Sequence, residues 1–386
     1  MTNVKKANMD FIDYILRPFI EEILPQGGID MSKSRWQKPG RGYGGRYPDH
    51  PDVRYIAALI KLLYQVSDIT GNDLYSQLAN RQVRFIANFA SEKDPMWLLG
   101  TALQAIGMYF RYNSPNESLR EAAWRIIKWA RQKKVEITIG EETYGHFPCG
   151  YGLMDAKDAG WTNDLSIMGS GLVFGYEVTG DKKVLDEAIS YAEFFVRPWE
   201  QGQLGDDGYW HSGTWRDDIG SWVIGPLHYS GVEGTNGYTD EISWVFSSFS
   251  CIDYLAHLYS YNPDQRYKDC CVNAAKWTFK NCQFDDGAIG LCEKDDKWLG
   301  CTGYAISQIY LIKHLADDDE VLQYLLACSK SAYKYLRSQL SNVDYDCNGV
   351  EWVSHKTLAD PMVNVGWLWL DTLQGLIDGE KLLCPI

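Results

Sequence analysis

Two short stretches of this chain place carboxylates where proton-transfer chemistry would need them. Tyr47-Pro48-Asp49-His50-Pro51-Asp52 gathers two acids and an imidazole within six residues, more than a simple helix cap requires. Gly160-Trp161-Thr162-Asn163-Asp164-Leu165 sets an acid beside an amide and an indole. Two carboxylates facing each other across a cavity, one held protonated by its surroundings and the other ionised, are a standard device for acid/base catalysis. Asp164 and Asp52 are therefore the candidate catalytic residues. Sequence spacing does not give their separation, so retaining, inverting and hydration chemistry all stay open.

Around them the chain is rich in flat side chains. It carries 15 Trp and 25 Tyr, and 14% of its residues are aromatic. Trp36, Tyr43, Trp161, Trp210, Trp215 and Trp298 fall in or beside long segments between helical stretches and are expected to line a cavity. Such faces suit sugar rings, and they also suit isoprenoid chains that react through carbocations. Asp49, His50, His146, Asn163 and His211 complete the substrate-binding candidates, each histidine having an ordinary loop or packing role as its simpler explanation.

These residues need elements to hold them. Apolar periodicity marks about twelve amphipathic helices. Their connections alternate between turns (70–73, 113–116, 179–182, 262–264, 317–319) and long links (25–53, 135–161, 197–239, 282–298, 340–360). Helices that zigzag up and down place every long link on one end, where function then resides. Six such hairpins close into an all-α (α/α)6 toroid, a single domain over 1–386. Its inner helices are expected to begin near 52, 95, 163, 240, 299 and 361. An open solenoid gives the same alternation, but its repeats keep a fixed period and short loops. Asp94 and Asp360, each just before a proline, read as helix caps.

Composition narrows the function classes. With 45% hydrophobic and 23% charged residues the chain has material for a large core. A net charge of −14 disfavours nucleic acid and anionic membranes as partners. The basic run Lys33–Arg41 is a local exception that suits an anionic small ligand or a solvated loop. The ten cysteines form no C-x-x-C pair, and Cys251, Cys270, Cys271 and Cys328 fall within helical stretches, so reduced thiols, no metal site and a cytoplasmic location are expected.

Asp49-His50-Pro51-Asp52, followed by a helix ending in Ile69-Thr70-Gly71-Asn72, resembles the D-H-H-D stretch and helix–turn of unsaturated glucuronyl hydrolases. Trp161-Thr162-Asn163-Asp164-Leu165, leading to Thr179-Gly180-Asp181-Lys182-Lys183-Val184-Leu185-Asp186-Glu187-Ala188, is similar to the D-D-L helix and T-G-D turn of unsaturated rhamnogalacturonyl hydrolases. Arg54 stands where the first motif has Gly, and Asn163 replaces the first acid of the second. The resemblance implies hydration of a 4,5-unsaturated uronic acid: Asp164 protonates C4 and activates the water that adds at C5, and Asp52 orients the substrate or tunes Asp164. It implies no metal and no organic cofactor.

Two further readings remain. Gln283-Phe284-Asp285-Asp286-Gly287-Ala288-Ile289-Gly290 resembles the Q-x-x-D-G-x-x-G turn of squalene-type cyclases, which implies a class II terpene cyclase with a buried Asp acid and an isoprenoid substrate. The D-x-D-D motif of those enzymes is absent. The third reading is a non-catalytic sugar-binding toroid.

Overall fold

Apolar residues at helical spacing dictate the architecture. The computed structural model describes residues 16–17, 19–30, 53–139, 141–147, 160–200, 213–216, 221–224, 245–290, 297–341 and 367–383. Its long helices are α1 (Val53–Thr70), α2 (Asp73–Phe89), α3 (Met96–Tyr112), α4 (Glu117–Lys133), α5 (Thr162–Thr179) and α6 (Lys182–Glu200), then α7 (Val245–Tyr259), α8 (Gln265–Cys282), α9 (Leu299–Ile312), α10 (Asp319–Ser341) and α11 (Trp367–Leu383). The odd-numbered helices pack each on the next, and α11 packs back on α1, closing a ring. Each even-numbered helix lies outside and spans two inner neighbours. This is the (α/α)6 toroid expected from the alternating links. An open solenoid would leave its first and last helices apart.

Helices α1, α3, α5 and α9 begin within one residue of the positions expected from sequence. Helices α7 and α11 are described from Val245 and Trp367, and the residues just before them lie outside the described set.

The short links share a capping device. Gly71 and Gly180 both adopt φ of +69°, a left-handed conformation that a Cβ would strain. In each, the preceding threonine donates to the carbonyl four residues back: Thr70 to Val66 at 2.6 Å and Thr179 to Gly175 at 2.8 Å. The next residue caps the following helix, with Asn72 Oδ1 accepting from Leu74 N–H at 3.1 Å and Asp181 Oδ1 from Lys183 N–H at 3.0 Å. Asn116, Asp264 and Asp318 cap α4, α8 and α10 in the same way.

Close approach of inner helices depends on missing side chains. A Cβ on Gly171 of α5 would collide with the Gly100 backbone of α3, and one on Gly375 of α11 with the Gly303 backbone of α9. Between the rings, Tyr191, Phe194 and Phe195 of α6 interlock with Tyr254 of α7, all fully buried. The Tyr254 hydroxyl donates to the Ala188 carbonyl. The outer layer is tied electrostatically: Arg131 of α4 reaches Glu187 of α6 at 3.0 Å, and Arg266 of α8 reaches Glu193 of α6 at 2.9 Å.

Small antiparallel sheets occupy the long links. β1 (Val135–Ile139) pairs with β2 (Glu142–His146). β3 (Gly160–Trp161), β4 (Gly213–Arg216) and β5 (Ser221–Ile224) form a second sheet, and β6 (Ile289–Gly290) pairs with β7 (Lys297–Trp298). Strands β3 and β7 run directly into α5 and α9, so both sheets sit at the rim where inner helices begin.

Candidate functional site

The inner helices are parallel, because each is separated from the next by one antiparallel outer helix, and their N-terminal ends share the face that carries the long links. Asn163 and Asp164 lie in the first turn of α5. Trp161 is the last residue of β3 and pairs with Thr214, while Trp215 pairs with Gly160 on one side and Trp222 on the other. The backbone thus brings Trp161, Trp215, Asn163 and Asp164 to one sector of the rim. His146 ends β2, opposite Val135. Trp298 is the residue before α9 and is 8% exposed, within the hydrophobic core. Asp52, Asp49, His50, Trp36, Tyr43, Trp210 and His211 lie outside the described residues, as does Asp360. Asp94, read from sequence as a cap, does not cap α3: the N-cap position is Pro95, with no side-chain cap bond, and Asp94 Oδ2 instead accepts the Ser91 N–H at 2.7 Å within the preceding turn.

Below the rim the ring is polar. Ser170 of α5 donates to Asp253 Oδ2 of α7 at 3.3 Å. Asp253 and Asp371 of α11 both act electrostatically on Tyr304 of α9, and Asp253 and Lys61 of α1 both act on Asp371. Polar groups on five inner helices are therefore coupled to one another, Ser170 and Asp253 by a direct hydrogen bond. Lys61, Asp253, Tyr304 and Asp371 are all only partly buried, as lining residues of a lumen should be. Ser170, Asp253 and Lys61 are each the ninth residue of their described helices, about 12 Å below the helix start at 1.5 Å per residue. Burial raises the Asp371 carboxyl to about 7, opposed by Lys61 and reinforced by Asp253. A carboxyl that titrates near neutrality can exchange protons with a bound ligand.

A further layer lies deeper. Gln374 Nε2 donates to Gln65 Oε1 at 2.5 Å and to Asp378 Oδ2 at 2.8 Å. Burial raises the Asp378 carboxyl, while Lys61 and the Gln374 hydrogen bond pull it back. Arg111 of α3 grips Glu177 of α5 through two hydrogen bonds of 2.8 and 2.5 Å. The His257 ring contacts Arg111 Nη1 at 3.4 Å and the Asp253 carbonyl at 2.8 Å. Burial holds its imidazole below the ordinary range, and Arg111 adds to the effect against the pull of Asp253. This layer lies toward the C-terminal ends of the inner helices.

The Asp285-Asp286-Gly287 turn has a structural task. Gly287 has φ of +97°, and a Cβ there would strike the Ser331 carbonyl of α10. Lys297 donates to Asp286 Oδ2 at 2.5 Å and the Ala288 N–H to Oδ1 at 3.3 Å. Against the cost of burial, these bonds hold the Asp286 carboxyl below its usual range.

The lumen residues were not among the sequence candidates. Their signal was a polar stripe on otherwise apolar helices, Ser250-Asp253-His257 on α7 and Asp371-Gln374-Asp378 on α11, at spacings of three and four that share one helix face.

No family model and no curated protein matches the chain. Solved structures do. The chain is similar to an unsaturated glucuronyl hydrolase from Streptococcus agalactiae, with TM-score 0.65, 15% identity and coverage of 98% of this chain and 92% of that one. It is equally similar to an inactive α-1,6-mannanase variant of Salegentibacter sp. HEL1_6 in complex with α-1,6-mannotriose, with TM-score 0.65, 10% identity and coverage of 96% and 99%. A D-mannose isomerase matches with TM-score 0.63, 11% identity and coverage of 99% and 98%. At these identities the likeness establishes the fold.

Proposed function

We propose that the chain is a carbohydrate-active enzyme, a hydrolase of oligosaccharides that carry a 4,5-unsaturated uronic acid. The observation that carries the reading is the position of Asn163-Asp164, which opens α5 at the long-link rim, immediately after β3 and above a polar lumen. The D-D-L-like motif at that position and the fold shared with an unsaturated glucuronyl hydrolase support it. In this reading Asp164 gives its proton to C4 of the alkene, and the developing positive charge at C5 takes up water. The water's proton returns to Asp164, and the hemiketal opens to release the partner sugar. Asp52 orients the ring or tunes Asp164. Trp161, Trp215 and the other rim aromatics supply stacking faces, each contact contributing about 0.5–1.5 kcal/mol beyond burial.

The lumen favours this reading over a polyprenyl cyclase. Lys61, Asp253 and Asp371, each partly exposed, put polar groups on the inner helices, whereas a carbocation cascade calls for a closed apolar chamber. The test is a substrate panel of unsaturated uronyl disaccharides, α-1,6-linked mannobiose, D-mannose and a polyprenyl diphosphate. Loss of the alkene's ultraviolet absorbance with release of the partner sugar is expected from the first alone. Consumption of another member, with the alkene untouched, overturns the proposal.

A further inference from the structure

Toward their C-terminal ends, α3, α5 and α7 meet in a cluster of charged and aromatic side chains that the proposed chemistry does not use. Arg111 Nε and Nη2 donate to the two carboxylate oxygens of Glu177 at 2.8 and 2.5 Å, and the guanidinium carbon lies 4.2 Å from the Phe174 ring centroid. The His257 ring also packs on Phe174, centroids 5.2 Å apart. Its Nδ1 is 2.8 Å from the Asp253 carbonyl and 3.7 Å from Asp253 Oδ2, and its Nε2 is 3.4 Å from Arg111 Nη1. Tyr261, just beyond α7, donates to Glu177 Oε1 at 3.0 Å.

These partners fix the tautomer of His257. A carbonyl only accepts and a guanidinium only donates, so Nδ1 carries the proton and Nε2 offers its lone pair to Arg111. The neutral ring therefore ties α7 to the Arg111–Glu177 clamp that joins α3 and α5. An imidazolium would keep the Asp253 carbonyl but set an N–H and a positive charge against Arg111. The guanidinium does not yield its own charge: burial lowers its pKa, and the Glu177 bonds overcome this and raise it. His257 keeps 16% of its side-chain surface exposed, so protons from solvent reach it. The groups acting on it are Asp253 of its own helix, Arg111 of α3 and Glu177 of α5. On the other helices packed against α7, Tyr191 and Glu193 of α6 and Tyr267 of α8 act on Tyr254, and Tyr304 of α9 interacts with Asp253.

We propose that His257 is a proton-operated latch, which when neutral fastens α7 to the Arg111–Glu177 pair and when protonated releases Arg111 and loosens the C-terminal end of α7. Burial lowers the imidazole from its ordinary 6.5, Asp253 opposes this and Arg111 adds to it. The latch is therefore closed at neutral pH, and its contribution is lost as pH falls through the folded midpoint. The Tyr261–Glu177 bond survives protonation, so the release is local. Nothing in this rests on the carbohydrate reading.

Histidine side-chain nitrogen NMR of the full chain tests it, with the His257 signal assigned by its loss in His257→Gln. The expected result is an Nδ1–H tautomer at pH 8 and a midpoint below 6.5. Arg111→Gln removes the opposing charge and should move the midpoint toward alkali, and Asp253→Asn removes a charge that favours the imidazolium and should move it toward acid. Circular dichroism and Tm establish folding, and either charge variant alone carries the sign test. Amide hydrogen exchange, corrected for intrinsic rate, is then read one pH unit above and one below the wild-type midpoint, an interval over which the neutral fraction falls about tenfold. Protection over 253–261 should drop at the lower pH in wild type. It should not drop in His257→Gln, whose amide oxygen still accepts from Arg111. An Nε2–H tautomer, a midpoint at or above 6.5, or an imidazole still neutral when the fold is lost overturns the proposal. So does a midpoint that fails to move in the stated direction, unchanged protection in wild type, or a drop that persists in His257→Gln.

Discussion

Ser170 Oγ donates to Asp253 Oδ2 at 3.3 Å and thereby ties α5, whose first turn holds Asp164, to α7. The rim position of Asp164 and the hydrogen bond to Asp253 therefore share one helix, about two turns apart.

Asp371 makes stability depend on pH. Its folded carboxyl titrates near 7, above the unfolded value, so its contribution is fully present below about pH 4 and is lost as pH rises through 7. Asp371→Asn removes this loss. The Tm difference, variant minus wild type, should grow between pH 5 and pH 8 by an amount reflecting on the order of 1 kcal/mol or more. A difference that stays flat over this window would contradict the assignment.

Gly287→Ala should destabilise the fold by about 2 kcal/mol or more, combining a left-handed φ with a backbone collision at Ser331. Urea denaturation checks it. Gly71→Ala, at φ +69° with no atom within 4 Å of the added Cβ, bears only the conformational strain and should cost less.

Tyr254→Phe keeps the aromatic packing against Tyr191 and Phe195 but leaves the buried Ala188 carbonyl without this donor. A loss of about 1–2 kcal/mol is expected in denaturant melts. Tyr254→Ala adds a cavity and should cost about 3–5 kcal/mol. Equal losses from the two would show that the hydroxyl dominates.

Much of the fold was legible in sequence because local signals set it. Thr-Gly-Asn-Asp and Thr-Gly-Asp-Lys encode their turns within four residues, and inner-helix starts at 53, 96, 162 and 299 follow from apolar periodicity. The rim position of Asp164 was legible for the same reason. The lumen was not. Asp253 follows Ile252 and precedes Tyr254 in a helix dominated by apolar residues, and only closure of six helices brings it near Asp371, 118 positions later in the chain. Ring closure is a tertiary event, and no spacing within one helix reports it. The acidic turn at Asp286 showed the opposite error of emphasis: its motif suggested chemistry, but Asp286 accepts from Lys297, and Gln283 of the same motif donates to the Cys328 carbonyl of α10 at 3.0 Å.

The central claim is that Asp164 transfers the proton. Asn in its place keeps size and polarity while removing proton transfer, a step contributing about 10²–10⁴ in rate. Turnover of an unsaturated uronyl disaccharide by wild type and Asp164→Asn, followed by alkene absorbance with Tm and ligand binding measured alongside, is the most direct measurement. The account predicts a folded variant that binds the disaccharide and has lost at least a hundredfold in kcat. A folded Asp164→Asn protein that hydrates the alkene at the wild-type rate would contradict it.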